Sequence, residues 1–399
     1  MEYKFSAPMP YTIDDINKLI NINKNIKKSK ITSLYASLPS TCDFFTGLEQ
    51  ARNIYFKQSN FDYWEKLFTF SLEKGVDFIY LLNNPTPLDL KNPSFNIQLE
   101  KLDKLLQKFI KLGINKLRIA SPQLMTYIST QYKEFDILAS TALEYKSIQE
   151  YQNFIMLHPE IKQIVLSHDV NKNFQLVKNL RKNYPHLDIE IMVNEGCMQG
   201  CPHRHLHENL NTDKTVSYNN NLALSGKYCG VLCTHIYHKY PFHSLTLNNN
   251  IYPWAIKEYA KIGVNNFKLV GRDMYTQRIS EYIEEYFLYL KAVDNYKYAK
   301  NVQVTTFIHH LTYSRELQQL LVKDIYNYLP KISRFKKYGY LCTSRCGVEC
   351  RYCYKCAERI EKVFKKKQEE IKKRTMPVCV ISKDLNPFTP VLLQNEQGN

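Results

Sequence analysis

The chain has 399 residues, which exceeds most simple single domains and suits a (β/α)8 barrel with additions. Hydrophobic residues make up 44% of the chain, enough for a large core, and no apolar run reaches the roughly 18 residues of a membrane span. The formal net charge of +16 favours an anionic partner such as RNA, although a lysine-biased surface explains the same excess equally well.

The N-terminal residues lack the apolar core of a signal peptide, so we expect a cytoplasmic protein. Eleven cysteines in a reducing compartment indicate metal binding or catalysis rather than a disulfide framework. Nine of the eleven fall in two clusters, and only Cys42 and Cys379 stand alone. The two clusters are therefore the first places to look for a functional site.

Strand and helix patterns alternate along the chain, after opening residues that we expect to be helical up to Lys30. Runs rich in β-branched and aromatic residues predict eight strands, at residues 31–39, 76–84, 114–121, 135–142, 161–167, 187–194, 264–272 and 302–310. Helical segments separate most of them, which predicts parallel βαβ units closed into a (β/α)8 barrel over residues 1–310. A doubly wound open sheet is the competing interpretation, but no Gly-rich phosphate loop follows any strand.

The sequence of residues 311–399 predicts a helical, cysteine-rich extension of the barrel at its C-terminal end. It contains an amphipathic helix, the second cysteine cluster, a highly charged helix and an extended tail. We expect this extension to carry a second metal site.

The first cysteine cluster follows the predicted strand at residues 187–194. Its two Cys-x-x-x-Cys pairs supply four thiols, Cys197, Cys201, Cys229 and Cys233. Thiolates are soft ligands that hold zinc or iron–sulfur clusters. Because structural zinc usually holds a small peripheral module, whereas these thiols follow a barrel strand, we favour a 4Fe–4S cluster over zinc.

The second cysteine cluster allows two interpretations. Cys346, Cys350 and Cys353 have the spacing of radical S-adenosylmethionine enzymes, in which three thiolates leave one iron open. However, the cluster follows all of the predicted strands, and Cys342 and Cys356 add further thiols. We therefore favour a closed site, iron–sulfur rather than zinc, in which Cys356 is the fourth ligand and Cys342 stays open as its alternative. S-adenosylmethionine is a less favoured cofactor.

Several polar residues near the first cluster are candidate substrate contacts or acid–base groups. Arg204 and His205 lie between the two Cys pairs, and Glu195 precedes the first of them, where it could act in catalysis or simply cap the loop. Lys268 and Arg272 lie at or near the end of a predicted strand, where charges are paired or bind an anion. We treat all five as catalytic candidates.

Four sequence blocks in this order resemble those of the U32 peptidase-like family. They are VLSHDVNKNF, VNEGCMQGCPHRHLH, YCGVLC and PWAIKEYAKIGVNNFKLVGR, and the resemblance covers roughly residues 31–290. Within the last block this chain has Val270 where the family usually has an acidic residue. The resemblance implies a barrel that binds a 4Fe–4S cluster through Cys197, Cys201, Cys229 and Cys233.

The resemblance also implies a class of activity. Although the family is named for collagenase-like peptidases, several members take part in oxygen-independent hydroxylation of RNA bases or of the ubiquinone ring. This chain has no HExxH motif and no recognisable Ser or Cys nucleophile signature. We therefore expect an iron–sulfur enzyme that modifies RNA, a peptide or a small molecule with the help of an electron donor.

Three other functions stay open at this point. The second cluster could perform radical S-adenosylmethionine chemistry, or the chain could be a U32-type peptidase. It could also be a non-catalytic protein that binds RNA or another partner and uses metal only for structure.

Overall fold

A computed structural model describes residues 2–24, 28–37, 61–85, 94–202, 204, 241–272, 276–291 and 351–374. Eight parallel strands in this part of the chain form a closed barrel, in which each strand pairs with the next and the last pairs with the first. The strands are β1 (Tyr3–Pro8), β2 (Ser29–Ala36), β3 (Asp77–Leu82), β4 (Lys116–Ile119), β5 (Asp136–Ala139), β6 (Gln163–Val165), β7 (Asp188–Met192) and β8 (Asn266–Lys268). The predicted (β/α)8 fold is confirmed.

Helices connect the strands and surround the barrel. They are α1 (Ile13–Lys24), α2 (Phe61–Glu73), α3 (Phe95–Lys111), α4 (Pro122–Gln131), α5 (Ile148–Leu157), α6 (Phe174–Asn183), α7 (Pro241–Thr246), α8 (Pro253–Lys261), α9 (Thr276–Lys291) and α10 (Tyr352–Arg374). Two short 3-10 helices, Thr141–Leu143 and His168–Val170, follow β5 and β6. Of the helices that the structure describes, none is both long and apolar enough to cross a membrane.

The prediction that the opening residues are entirely helical is wrong. They begin with β1, whose Phe5 and Ala7 are fully buried in the main core and alternate with the polar Lys4 and Ser6. This strand has only six residues and precedes a longer amphipathic helix, so the helical pattern dominates the sequence signal. Because β8 pairs with β1, the eight strands described here close the ring by themselves. The predicted strand at residues 302–310 and the predicted domain boundary at residue 310 lie outside the described residues.

Successive side chains of each strand point alternately toward the helices and into the barrel, so the protein has an outer core and an interior core. On β3, Phe78 and Tyr80 face outward, where their rings pack against Phe68 of α2 (4.0 Å between centroids) and Phe109 of α3 (4.9 Å). The intervening residues face into the barrel, where a small separate apolar cluster forms from Tyr35, Ile79, Leu81 and Leu138. The barrel interior is therefore filled by side chains in the usual way, and part of that filling is apolar.

The other part of the interior filling is polar. Arg118 on β4 is fully buried, and its Nη2 donates to Glu190 Oε2 on β7 (2.6 Å) and to Gln163 Oε1 on β6 (2.9 Å). Ser6 on β1 donates to the other oxygen of Glu190 (2.7 Å). The buried ion pair between Arg118 and Glu190, with its hydrogen bonds to Gln163 and Ser6, thus joins side chains from four strands across the barrel.

Buried polar residues also follow most of the strands at their C-terminal ends, which together form one mouth of the barrel. Ser121 caps the first turn of α4, and Ser140 caps the 3-10 helix after β5. Asn83, Ser167 and Asn194 follow β3, β6 and β7. This is the end of a (β/α)8 barrel where catalytic sites lie.

We expect Glu190→Leu to lower the free energy of unfolding by about 3–5 kcal/mol, because it leaves Arg118 buried without its charged partner. The double substitution Arg118→Met with Glu190→Leu should recover much of this loss, since it removes both charges. Urea unfolding followed by circular dichroism measures both effects.

The exposed pair between Lys18 and Asp15 (2.9 Å) is the matched control, and Asp15→Leu should change the same free energy by about 0–1 kcal/mol. A loss from Glu190→Leu no larger than that control would show that the interior ion pair does not support the barrel.

Candidate functional site

The cysteine loop, residues 194–202, begins directly after β7 at the mouth of the barrel. Two backbone hydrogen bonds tie it to the segment that follows α7. The Asn249 amide donates to the Cys197 carbonyl (2.8 Å), and the Gln199 amide donates to the Leu247 carbonyl (2.9 Å). The loop is therefore held by backbone pairing on one side, although it belongs to no regular sheet.

Glu195 organises the first turn of the cysteine loop. Its Oε1 accepts a hydrogen bond from the Cys197 amide (2.9 Å), and its Oε2 lies 3.3 Å from His168 Nε2. Burial alone would raise the pKa of Glu195, but His168 and the Cys197 amide outweigh it and hold the pKa well below its usual range. Glu195 is thus a charged acceptor that fixes the backbone beside Cys197.

Asp169 holds the far end of the loop from the neighbouring strand connection, after β6. Its Oδ1 accepts from the Gly200 amide (2.8 Å) and from Arg204 Nη2 (3.2 Å). Gly200 has a positive φ of 65°, a conformation that suits a residue without a side chain. The carboxylate therefore fixes the turn that carries Cys201.

Arg204 is buried beside both described cysteines of the first cluster. Its Nη2 also donates to the Met198 carbonyl (2.6 Å). The same Nη2 donates to the side-chain oxygen of Asn249 (3.0 Å) when the Asn249 amide is oriented so that its nitrogen donates to the His168 carbonyl. Burial lowers the pKa of Arg204, but the charges of Asp169, of Glu195 and of the thiolate forms of Cys197 and Cys201 raise it above its ordinary value. Within the described part of the chain, its Nε and Nη1 have no hydrogen-bond partner.

Asn194 joins the end of β7 to the end of β8. Its Nδ2 donates to the Val270 carbonyl (2.9 Å), and its Oδ1 accepts from the Val270 amide (2.7 Å). The side-chain amide of Asn194 thus fixes the start of the cysteine loop to the backbone that follows β8.

The remaining catalytic candidates lie elsewhere. Lys268, on β8, is buried with its Nζ 4.6 Å from the centre of the Tyr35 ring. Arg272 follows the C-terminal end of β8, and its carbonyl accepts from the Tyr11 hydroxyl (3.0 Å). The structure thus brings together Glu195 and Arg204 at the cysteine loop, whereas Lys268 lies on β8 with its ammonium group over Tyr35. His205, Cys229, Cys233, Cys342, Cys346 and Cys350 lie outside the described residues.

The thiols of Cys197 and Cys201 are partly exposed and form no disulfide. Among the residues that the structure describes, no group of three or more His, Cys, Asp or Glu side chains could hold a metal. Two of the four predicted ligands, Cys197 and Cys201, are among the described residues. A pair of accessible soft donors beside a buried guanidinium fits an iron–sulfur cluster, whose thiolates and sulfides carry negative charge.

The second cysteine cluster is described at Cys353 and Cys356, in the first turns of α10. Both residues are buried, and both lie on one face of the helix, three positions apart. That helix packs on α7, where Phe242 contacts Phe364 (5.4 Å between ring centroids) and His243 contacts Tyr354 (5.6 Å). The C-terminal cysteines therefore lie on a helix that packs against α7, and α7 directly precedes the segment that pairs with the cysteine loop.

His168 and Asp169 were not among the residues predicted for the site. They follow β6, next to β7 in the barrel, and the sequence block SHDV contained them. Polar residues directly after a predicted barrel strand were the signal that could have identified them.

We expect Asp169→Asn to speed amide hydrogen exchange in peptides that cover residues 196–204. The substitution removes the charge that pairs with buried Arg204, and a loss of about 1.4 kcal/mol of local stability corresponds to roughly tenfold faster exchange. Glu160→Gln is the control, because the Glu160 carboxylate pairs with His158 (3.2 Å) before β6. Unchanged exchange in Asp169→Asn would mean that this carboxylate does not fix the loop.

Comparison with known proteins identifies the family. The sequence profile of Peptidase family U32 matches residues 47–328, more than half of the chain. An uncharacterized protease of Methanocaldococcus jannaschii is 22% identical over 202 residues, which are 50% of this chain and 55% of that protein. The chain thus spans about half the length of this curated relative.

Solved structures show weaker similarity. A U32 peptidase structure has a TM-score of 0.40 with 13% identity, over 55% of this chain and 83% of its own. The N-acetylneuraminate lyase of Fusobacterium nucleatum has a TM-score of 0.38 with 13% identity, over 91% and 99% of the two chains. The profile match, whose extent includes the cysteine loop, is decisive: the chain belongs to Peptidase family U32.

Proposed function

We propose that the chain is an iron–sulfur enzyme that carries out a redox modification, of the oxygen-independent hydroxylation type, on RNA, a peptide or a small molecule. In this proposal Cys197, Cys201, Cys229 and Cys233 hold a 4Fe–4S cluster. The observation that carries it is the pair of partly exposed thiols at the mouth of the barrel, on a loop fixed by buried charges. When bound, the cluster supplies one-electron chemistry at the end of the barrel where substrates bind.

Arg204 has a specific role in this proposal. The four cysteine thiolates and the inorganic sulfides of a bound cluster would concentrate negative charge at the cysteine loop. The buried guanidinium of Arg204, beside Cys197 and Cys201, would compensate that charge. Hydrogen bonds to cluster sulfurs raise the reduction potential, and Arg204 has Nε and Nη1 donors without partners in the described part of the chain. Asp169 then keeps Arg204 in place through Nη2.

The C-terminal cysteines supply a second site in this proposal. Cys353 and Cys356 are buried together on α10, which supports a closed set of four thiolates with Cys346 and Cys350. A series of contacts links α10 to the cysteine loop and supports this role: the Tyr354 ring contacts His243, the His243 carbonyl accepts from the Leu247 amide, and the Leu247 carbonyl accepts from the Gln199 amide. A second iron–sulfur site here would pass electrons from an external donor to the first.

A peptidase is the second candidate, because the family name and the relative from Methanocaldococcus jannaschii both refer to proteolysis. The two candidates differ in what the cysteines do. A peptidase requires a nucleophile or an activated water, whereas paired thiols on a rigid loop are better suited to hold a metal.

We expect Cys197→Ser to remove about four iron and four sulfide ions per chain from anaerobically purified protein, because a cubane needs its thiolate ligands. Chemical analysis of iron and acid-labile sulfide, with EPR after reduction, measures the loss. Cys42→Ser is the control, since this cysteine belongs to neither cluster. A colourless wild-type protein with stoichiometric zinc would exclude the cluster.

We also expect the wild-type protein, with its metal content verified, to release no more peptide from denatured collagen than Cys197→Ser does. The reason is that the first cysteine cluster has no hydrolytic role in the proposed function. Chromatographic quantification of released peptides provides the measurement. Peptide release by the wild type that disappears in Cys197→Ser would favour the peptidase.

A further inference from the structure

Helix α10 carries a row of positive charges on the side that it does not use for packing. Its apolar side packs on α7, where Phe364 contacts Phe242. The side away from α7 exposes four cations at successive spacings of four, three and four positions, which we call the α10 stripe: Lys355, Arg359, Lys362 and Lys366. Because residues three or four positions apart are neighbours on a helix face, the α10 stripe is a single line about 17 Å long.

The charge of the α10 stripe is not neutralised within the helix. Helix α10 contains nine Lys or Arg residues and four Glu residues, which leaves a formal charge of +5. Two of the glutamates, Glu361 and Glu370, pair with lysines outside the stripe, at 2.7 Å and 3.3 Å. Although Glu358 lies beside the stripe, no ion pair reaches the four stripe cations from the residues that the structure describes. The line of charge therefore faces solvent.

We propose that the α10 stripe is a docking surface for the phosphate backbone of a single-stranded nucleic acid. Each stripe cation contacts a phosphate, and the bound strand runs along the helix axis. Because α10 packs on α7, and α7 directly precedes the segment paired with the cysteine loop, the strand lies beside the mouth of the barrel. This surface goes beyond the proposed function, since it binds the strand whatever reaction takes place at the mouth.

Two features favour a nucleic acid over other anionic partners. A nucleic-acid strand carries its charges in a regular line, as the α10 stripe does, whereas the carboxylates of an acidic protein are scattered over its surface. A helix that lies on a membrane buries an apolar face in the lipid, but the apolar side of α10 is already buried against α7. The net charge of +16 attracts a long polyanion to the chain as a whole.

Fluorescence anisotropy of a labelled oligouridylate of about 20 nucleotides, with the full-length protein, tests the proposal. We expect saturable binding that weakens as potassium chloride rises from about 50 to 200 mM. A plot of log affinity against log salt concentration should have a slope of about −3, because each phosphate contact on a single strand contributes about −0.7. Absence of binding at the lowest salt concentration would overturn the proposal.

Two double variants with the same change of net charge make the test specific. Lys362→Gln with Lys366→Gln removes two stripe cations, so the slope should fall by about 1.4 in magnitude and the affinity by about tenfold or more at 100 mM salt. Lys101→Gln with Lys104→Gln removes two exposed lysines from α3 and should leave both quantities close to those of the wild type. Equal losses in the two double variants would show that net charge alone attracts the strand, and would overturn the proposal.

Ultraviolet crosslinking of the oligouridylate to the wild-type protein, followed by mass spectrometry of its peptides, requires no variant. We expect crosslinked peptides from residues 351–370, and crosslinks confined to other peptides would contradict the docking surface. Polyglutamate of similar length and vesicles rich in phosphatidylserine are the competing partners, and tighter binding of either would overturn the assignment to a nucleic acid. Because these measurements require neither iron nor turnover, failure here is distinguishable from failure of the proposed redox function.

Discussion

Closure of the barrel is the constraint on which the site depends. In a ring of parallel strands, the C-terminal ends of β6 and β7 must lie side by side, so the residues that follow them meet at the mouth. Asp169 thereby reaches Gly200 and Arg204, and His168 reaches Glu195. Glu195, which is paired with His168, therefore fixes the irregular cysteine loop at Cys197. Asp169, which is paired with Arg204, fixes it at Gly200, next to Cys201.

The two buried arginines of the barrel share one arrangement. Arg118 inside the barrel and Arg204 at its mouth each use Nη2 to reach a carboxylate, Glu190 or Asp169. In both side chains the described structure leaves Nε and Nη1 without partners. The carboxylate thus holds each guanidinium from one side through a single nitrogen.

Much of the fold could be predicted from sequence because each strand between residues 31 and 272 is long or apolar enough to show locally. β1 was missed, since six residues before an amphipathic helix carry little periodic signal. The cysteine loop and its neighbours Glu195 and Arg204 were found because thiol spacing is visible in the chain. Asp169 was missed because its role depends on Arg204, 35 positions away, and the pairing of Arg118 with Glu190 spans 72. Neither pairing has a local signature.

Family membership settles the fold and leaves the chemistry to the site, since one fold hosts many activities. The proposed function requires iron at the cysteine loop. Anomalous diffraction at the iron edge from a crystal grown without oxygen tests it most directly. The proposed function predicts an iron peak within bonding distance of the Cys197 and Cys201 sulfurs, beyond the end of β7. A peak there at the zinc edge alone, or no metal at these sulfurs, would contradict it.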